Sequence, residues 1–173
     1  MSWLHQAHRQ LEHAPHRQPV WTAATVFARM TLSPGFLSAV ADRLGVWGPA
    51  DTGSVTWGDF ASFIEYTQKL APYLPIGVVQ LTAWVATAVE LVLGLSLLAG
   101  VAMRWSAWAA TGLLLVFALS MGIFVDWEAP LSASVFPACA AAALLALAPV
   151  RTFALSLDRL RTAKREAQPI EMA

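Results

Sequence analysis

The run of residues 76–101 constrains the fold most strongly, because its 26 residues are almost entirely apolar and carry one charge, Glu90. As a helix rising about 1.5 Å per residue it would be about 39 Å long, enough to cross a hydrocarbon core of about 30 Å. A carboxylate at mid-depth costs about 2.5 to 3.5 kcal/mol on insertion scales. The run therefore predicts a transmembrane helix whose Glu90 faces protein and has a cationic partner.

The composition agrees with a membrane protein. Of 173 residues, 57% are hydrophobic and 13% are charged. The mean hydropathy of +0.56 is well above that of a typical soluble domain. Eleven basic residues balance eleven acidic ones, which gives no overall basic field for nucleic acid. Cys139 is the single cysteine, so no internal disulfide is expected. Residues 1–19 lack the apolar core of a signal peptide and are interpreted as a polar leader.

The predicted fold is all-α, an up-down bundle of four transmembrane helices. The predicted spans cover about residues 20–41, 76–101, 105–125 and 131–149. The first span carries Arg29 and is interrupted by Pro34. Membrane helices tolerate such breaks where neighbouring helices satisfy the backbone, so this span should pack against the others.

A short amphipathic helix is expected between the first and second spans, within the loop of residues 42–75. Thr56 followed by Asp59 resembles a helix N-cap signal. Four apolar residues and one threonine then recur at helical spacing, at Phe60, Phe63, Ile64, Thr67 and Leu70. This pattern predicts a helix that lies at the membrane interface.

The orientation follows from the basic residues. The leader, the loop at Arg104 and the tail of residues 151–173 hold most of the Lys and Arg. By the positive-inside rule both termini are predicted to be cytoplasmic, and the 42–75 loop lies on the opposite, periplasmic side.

Arg29 is the predicted partner of Glu90. If the first two spans are antiparallel and their ends level, Arg29 lies about 14 Å from the cytoplasmic end and Glu90 about 17 Å, a mismatch that an arginine can bridge. Arginine also stays charged and can hold a carboxylate through two hydrogen bonds. The pair has two interpretations: a structural ion pair that fixes helix register, or the polar centre of a functional pocket.

In the functional interpretation the pocket opens toward Asp42 and Arg43 and binds a lipophilic molecule with a polar head, or carries protons. The catalytic candidates are Glu90 and Arg29. The further ligand-binding candidates are Asp42, Arg43, Gln80 and Thr87. No metal site is expected.

Several short runs carry a family resemblance. The first span has Arg29, Phe36-Leu37 and then Arg43; the second reads VELVLGLSLLAG over residues 89–100; Arg104 and Ala107 follow, and residues 130–136 read PLSASVF. Over about residues 20–150 the chain resembles the DoxX family of bacterial four-helix membrane proteins. The resemblance implies a location in the bacterial inner membrane and, for some relatives, membership of quinone-linked systems such as thiosulfate:quinone oxidoreductase.

The leading functional hypothesis is a quinone-interacting or anchoring subunit of a membrane redox system. No covalently bound cofactor is expected, and quinone is the candidate ligand. The expected partners are the lipid bilayer, with a redox protein and a second copy of the chain as candidates. The alternative is a non-catalytic scaffold, or a protein that binds lipids or partners, in which Arg29 and Glu90 form a structural pair. A transporter is less favoured, because the spans show no inverted repeat.

Overall fold

The computed structural model describes residues 18–50, 52–53, 55–154 and 156–157, which contain α-helices and no strand. The helices are α1 (Gln18–Arg43), α2 (Phe60–Leu70), α3 (Ile76–Ala99), α4 (Met103–Phe124), α5 (Glu128–Ser132) and α6 (Val135–Leu147), followed by a 3-10 turn at Val150–Thr152. The all-α prediction is confirmed. The leader up to residue 17 and the tail from residue 158 lie outside the described residues.

Two of the helices are long and apolar enough to cross a membrane, judged by length and composition. They are α3 with 24 residues and α4 with 22. Both present large apolar side chains on the outside, among them Leu81, Val85, Val92, Val116 and Ile123. Such a broad apolar surface fits contact with lipid better than contact with water.

The segment predicted as the fourth span does not form one continuous helix. The structure divides it into α5 and α6, with Ser134 between them in the left-handed region at φ 55°. In a continuous helix the ring of Pro137 would clash with the carbonyl of Ala133. Because α6 begins at Val135, Pro137 instead lies in a first turn, where a missing N–H leaves no hydrogen bond unmade. The 13 residues of α6 make about 20 Å of helix.

The contact between α1 and α3 fixes the register of the two helices. A Cβ on Gly94 would lie 2.9 Å from the side chain of Leu37, so only glycine permits this approach. Beside it the Ser33 hydroxyl donates a hydrogen bond to the Gly94 carbonyl at 2.8 Å. Arg29 lies against Leu97 and Arg43 against Glu90, so the two helices run antiparallel with Gly94 opposite Ser33 and Leu37.

Helix α2 has the predicted apolar face but begins three residues later than the Thr56 signal predicts. Its N-cap is Asp59, which accepts a hydrogen bond from the Ser62 amide at 2.8 Å. That hydrogen bond is the main cause of a lowered pKa of the Asp59 carboxyl. Phe63, Thr67 and Leu70 are buried, and α2 packs against α3 and α4. The apolar face is therefore covered by the other helices, and α2 closes one side of a cavity that α1 and α4 also line.

Candidate ligand-binding site

Arg43 at the end of α1 is the cation that pairs with Glu90. Its Nη2 lies 2.9 Å from Glu90 Oε1, and the two side chains are 3% and 2% exposed. Its Nη1 donates to Thr87 Oγ1 at 3.1 Å, and Thr87 donates onward to the Ala83 carbonyl. The prediction that Glu90 is buried and paired with an arginine is confirmed, but the prediction that the arginine is Arg29 is wrong.

The Arg29 guanidinium instead donates hydrogen bonds to three backbone carbonyls. Its Nε donates to the Leu97 carbonyl at 2.9 Å, its Nη2 to the Leu98 carbonyl at 3.1 Å, and its Nη1 to the Ala154 carbonyl at 2.8 Å. The last carbonyls of a helix have no intrahelical donor and carry partial negative charge, so a guanidinium is a fitting cap there. Arg29 thus ties α1 to the end of α3 and to the segment that follows α6.

The error in the predicted pair has a geometric cause. The predicted pairing assumes that the ends of the first two spans lie at the same depth. The close contact at Gly94 instead puts Arg29 beside the last turn of α3, while Glu90 lies toward the other end of α1. Arg43 is the arginine at that end.

Two aromatic rings cover the Arg43 guanidinium. Its Cζ lies 3.7 Å from the centre of the Phe63 ring and 5.1 Å from that of Trp57, and the two rings meet edge to face at 5.3 Å. Cation–π contacts of this kind favour a cation that has lost its water. The Arg43 side chain therefore joins α1, α2, α3 and the loop before α2.

Asp42 positions the loop that carries Trp57. Its carboxylate accepts hydrogen bonds from the backbone amides of Thr56, Trp57 and Gly58 at 3.0, 3.3 and 3.2 Å. Gly58 has φ +68°, and a Cβ there would lie 2.2 Å from the Ala50 nitrogen, so the turn requires glycine. Adjacent residues thus have separate roles: Asp42 orders the loop and Arg43 pairs with Glu90.

The ion pair lines a partly open cavity of about 550 Å³ between α1, α2 and α4. Small-molecule sites usually measure about 300 to 1,000 Å³. Much of the lining is apolar or aromatic, and it includes Phe36, Trp57, Phe63, Leu114, Phe117 and Met121. Exposed Glu65 and Lys69 also line it, as does Tyr66, whose pKa is raised by burial and by the charge of Asp126. The cavity therefore combines a buried ion pair, apolar walls and polar groups open to solvent.

One arm of the ion pair is left open. Within the described residues, Arg43 Nε and Glu90 Oε2 are buried and have no hydrogen-bond partner. A buried polar atom without a partner costs about 1 to 3 kcal/mol, which is why such atoms are rare. Both residues line the cavity, and these two atoms are the unsatisfied donor and acceptor of the pair.

The structure brings together only some of the predicted site residues. Arg43, Thr87 and Glu90 form one cluster, and Asp42 lies at its edge and lines a neighbouring cavity. Gln80 is exposed on α3 and does not line the cavity. In the described part of the chain no group of three or more His, Cys, Asp or Glu side chains could hold a metal. Ligand binding by any of these residues stays a prediction.

The sequence reasoning missed two aromatic residues of the site. Trp57 is not among the predicted site residues, and Phe63 is predicted only as part of the apolar face of the amphipathic helix. A usable signal was present, because a buried arginine needs covering groups and the Trp57–Phe63 stretch directly follows Asp42 and its turn-rich loop in the chain.

Comparison with known protein families shows that the family model named DoxX matches residues 24–127, more than half of the chain. The matched stretch contains Arg43 and Glu90 and ends before α5. No curated protein and no solved structure matches the chain.

Proposed function

The chain belongs to the DoxX family, and on that premise we propose that its cavity beside Arg43 and Glu90 binds a lipophilic molecule with a neutral polar head. A quinone or its quinol is the leading class. The observation that carries the proposal is the open arm of the buried ion pair, Arg43 Nε and Glu90 Oε2, on residues that line the cavity.

The open arm argues for binding beyond a purely structural role. A pair that serves only to fix register is best made as a two-point fork, in which two N–H groups meet two carboxylate oxygens. Here Arg43 and Glu90 share a single contact at 2.9 Å. A ligand head that donates to Glu90 and accepts from Arg43 would complete the pairing.

The surroundings favour a neutral head with an apolar body. The charges of Arg43 and Glu90 cancel, so a charged head would bring an uncompensated charge into a buried site. Phe63, Trp57 and Phe117 supply aromatic walls, which suit a flat ring. These features fit an amphiphile that reaches the cavity from the lipid.

The proposed membrane arrangement has four crossings in a bacterial inner membrane with both termini in the cytoplasm. The length and apolar surface of α3 and α4 support two crossings. The 26 residues of α1, about 39 Å of helix, support a third. The fourth would be made by α5 and α6 together.

In a redox system, this chain would bind the quinone and a partner protein would supply the electrons. Glu90 Oε2 would accept the proton of a head-group hydroxyl, and Arg43 would hold the head oxygen. Arg29 has no part in this proposal, since its guanidinium donates hydrogen bonds to backbone carbonyls at the end of α3 and after α6.

The test is purification in mild detergent followed by mass spectrometry of the small molecules that accompany the protein. A quinone or its quinol should accompany the wild type and the Glu128→Gln variant, whose exposed carboxylate lies at the start of α5 outside the cavity lining. It should be lost from Glu90→Leu, which removes the acceptor from the cavity wall. Phospholipid alone, retained equally by all three proteins, would contradict the proposal.

The alternative function, a non-catalytic scaffold, is favoured by one observation. The Arg43 side chain contacts Thr87, Glu90 and Phe63 and so joins three helices. A scaffold predicts that a protein partner is retained by Glu128→Gln and lost from Glu90→Leu, while no small molecule is bound by the wild type.

A further inference from the structure

Arg43 Nε and Glu90 Oε2, which have no hydrogen-bond partner in the described part of the chain, restrict the head groups that the cavity can bind. When the Glu90 carboxylate is ionised, its Oε2 accepts hydrogen bonds and cannot donate one. Arg43 Nε carries a proton and can donate but not accept. Both belong to one ion pair and are buried without a partner among the described residues. A single ligand atom that satisfies both must therefore donate and accept at once.

A hydroxyl oxygen is such an atom. Its proton can go to Glu90 Oε2 while its lone pair accepts from Arg43 Nε. A carbonyl or ether oxygen can meet Arg43 but leaves the carboxylate oxygen unpaired. An ammonium can meet Glu90 but would bring a second cation beside Arg43.

The walls indicate the body to which the hydroxyl is attached. Phe63 lies over the Arg43 guanidinium at 3.7 Å, and Trp57, Phe36 and Phe117 also line the cavity. Aromatic side chains offer edge and face contacts to a ring that a plain alkyl alcohol cannot use fully.

We propose that the site selects a neutral aromatic hydroxyl, a phenol-type head group whose oxygen bridges Glu90 Oε2 and Arg43 Nε, and discriminates against the same ring when the oxygen carries no proton. This inference rests on the proposed function, because it specifies the ligand of the same cavity. In a quinone–quinol couple it assigns tighter binding to the reduced, hydroxyl-bearing form.

The test compares two probes that differ only at the oxygen, 4-nonylphenol and its methyl ether, 4-nonylanisole. Binding to the purified full chain is measured by equilibrium dialysis in detergent, and a detergent blank corrects for partitioning. The phenol should bind about ten- to a hundredfold more tightly, because the ether leaves a buried acceptor unpaired.

Two variants locate the discrimination. Glu128→Gln, an exposed position outside the cavity lining, should keep the preference. Glu90→Gln should reduce it to less than about threefold, because a glutamine amide can donate to the ether oxygen as well as accept from the phenol. If Glu90→Gln does not fold, the wild-type comparison of the two probes decides the inference alone.

The outcomes separate this inference from the proposed function. Equal binding of phenol and ether by the wild type would overturn the inference and leave the cavity as a binding site. A preference that persists in folded Glu90→Gln would also overturn it. Failure of both probes to bind would overturn the proposed function and the inference together.

Discussion

At the residue scale, Arg43 contacts four other side chains at the centre of the buried polar cluster. Its guanidinium meets the carboxylate of Glu90, the hydroxyl of Thr87 and the rings of Phe63 and Trp57. Removal of one member of a buried ion pair leaves the other charge uncompensated, which usually costs about 3 to 5 kcal/mol. The two charges should therefore depend on each other for folding stability.

Replacement of the pair tests this dependence. Arg43→Leu should lower the free energy of unfolding by about 3 to 5 kcal/mol, because Glu90 is then buried without its cation. The double variant Arg43→Leu, Glu90→Leu should be at least about 1 kcal/mol more stable than the single one. Denaturant unfolding in detergent measures both. Equal losses in the two variants would mean that the charges are not coupled.

Arg29 should act on stability without acting on binding. Arg29→Lys replaces a planar fork that reaches three carbonyls with a single ammonium, and should cost about 3 kcal/mol of unfolding free energy. Ligand affinity of the folded protein should stay within about twofold of the wild type. The matched change Arg43→Lys should weaken binding about tenfold or more. An affinity loss in Arg29→Lys as large as that in Arg43→Lys would contradict these separate roles.

At the element scale, α2 should loosen in acid through its N-cap. The hydrogen bond from the Ser62 amide lowers the pKa of Asp59 in the folded state below its unfolded value of about 3.9. The cap therefore contributes fully above about pH 4 and is lost as the pH falls through the folded pKa.

Hydrogen exchange at the first amides of α2, normalised for intrinsic rates, measures this change. Exchange should speed up in acid in the wild type and be fast at every pH in Asp59→Ala. Asp59→Asn keeps a capping oxygen that does not titrate, so its protection should not depend on pH in this range. An acid response in Asp59→Asn equal to that of the wild type would assign the change to another group.

The turn between α3 and α4 depends on one glycine. Gly100 has φ +70°, and a Cβ there would lie 2.6 Å from the Ser156 Cα and 2.7 Å from Arg29 Nη2. Gly100→Ala should therefore destabilise the protein by about 2 kcal/mol or more, from backbone strain and displacement of Arg29.

Gly112 in α4 is the matched control, since a Cβ there meets nothing within 4 Å. Gly112→Ala should be neutral or stabilising by up to about 1 kcal/mol, because alanine favours the helix. Thermal unfolding of both variants in the same detergent measures the difference. A Gly100→Ala protein as stable as Gly112→Ala would show that the turn adjusts freely.

At the scale of the whole molecule, the proposed orientation can be tested with single cysteines. In a Cys139→Ala background, Thr52→Cys lies in the loop before α2 and Ala102→Cys in the turn between α3 and α4. An impermeant maleimide should label Thr52→Cys in intact spheroplasts and Ala102→Cys only after lysis, because basic loops remain in the cytoplasm. The reverse labelling pattern would invert the orientation, and labelling of both in intact spheroplasts would contradict a crossing between them.

Much of the fold could be predicted because its signals are local. The lengths of α3 and α4 follow from uninterrupted apolar runs, and the position of α2 follows from apolar residues at helical spacing. The break between α5 and α6 is less visible, since it depends on Ser134 adopting a left-handed conformation three residues before Pro137.

The sequence by itself determined that a carboxylate lies within an apolar helix and needs an arginine, because burial of an unpaired charge is unfavourable wherever the helix packs. Only the tertiary structure decided which arginine. The register set at Gly94 sends Arg29 to the end of α3 and brings Arg43 to Glu90. The loop held by Asp42 then places Trp57 near the pair. These contacts join residues far apart in the chain, and counting along each helix separately cannot supply the offset between them.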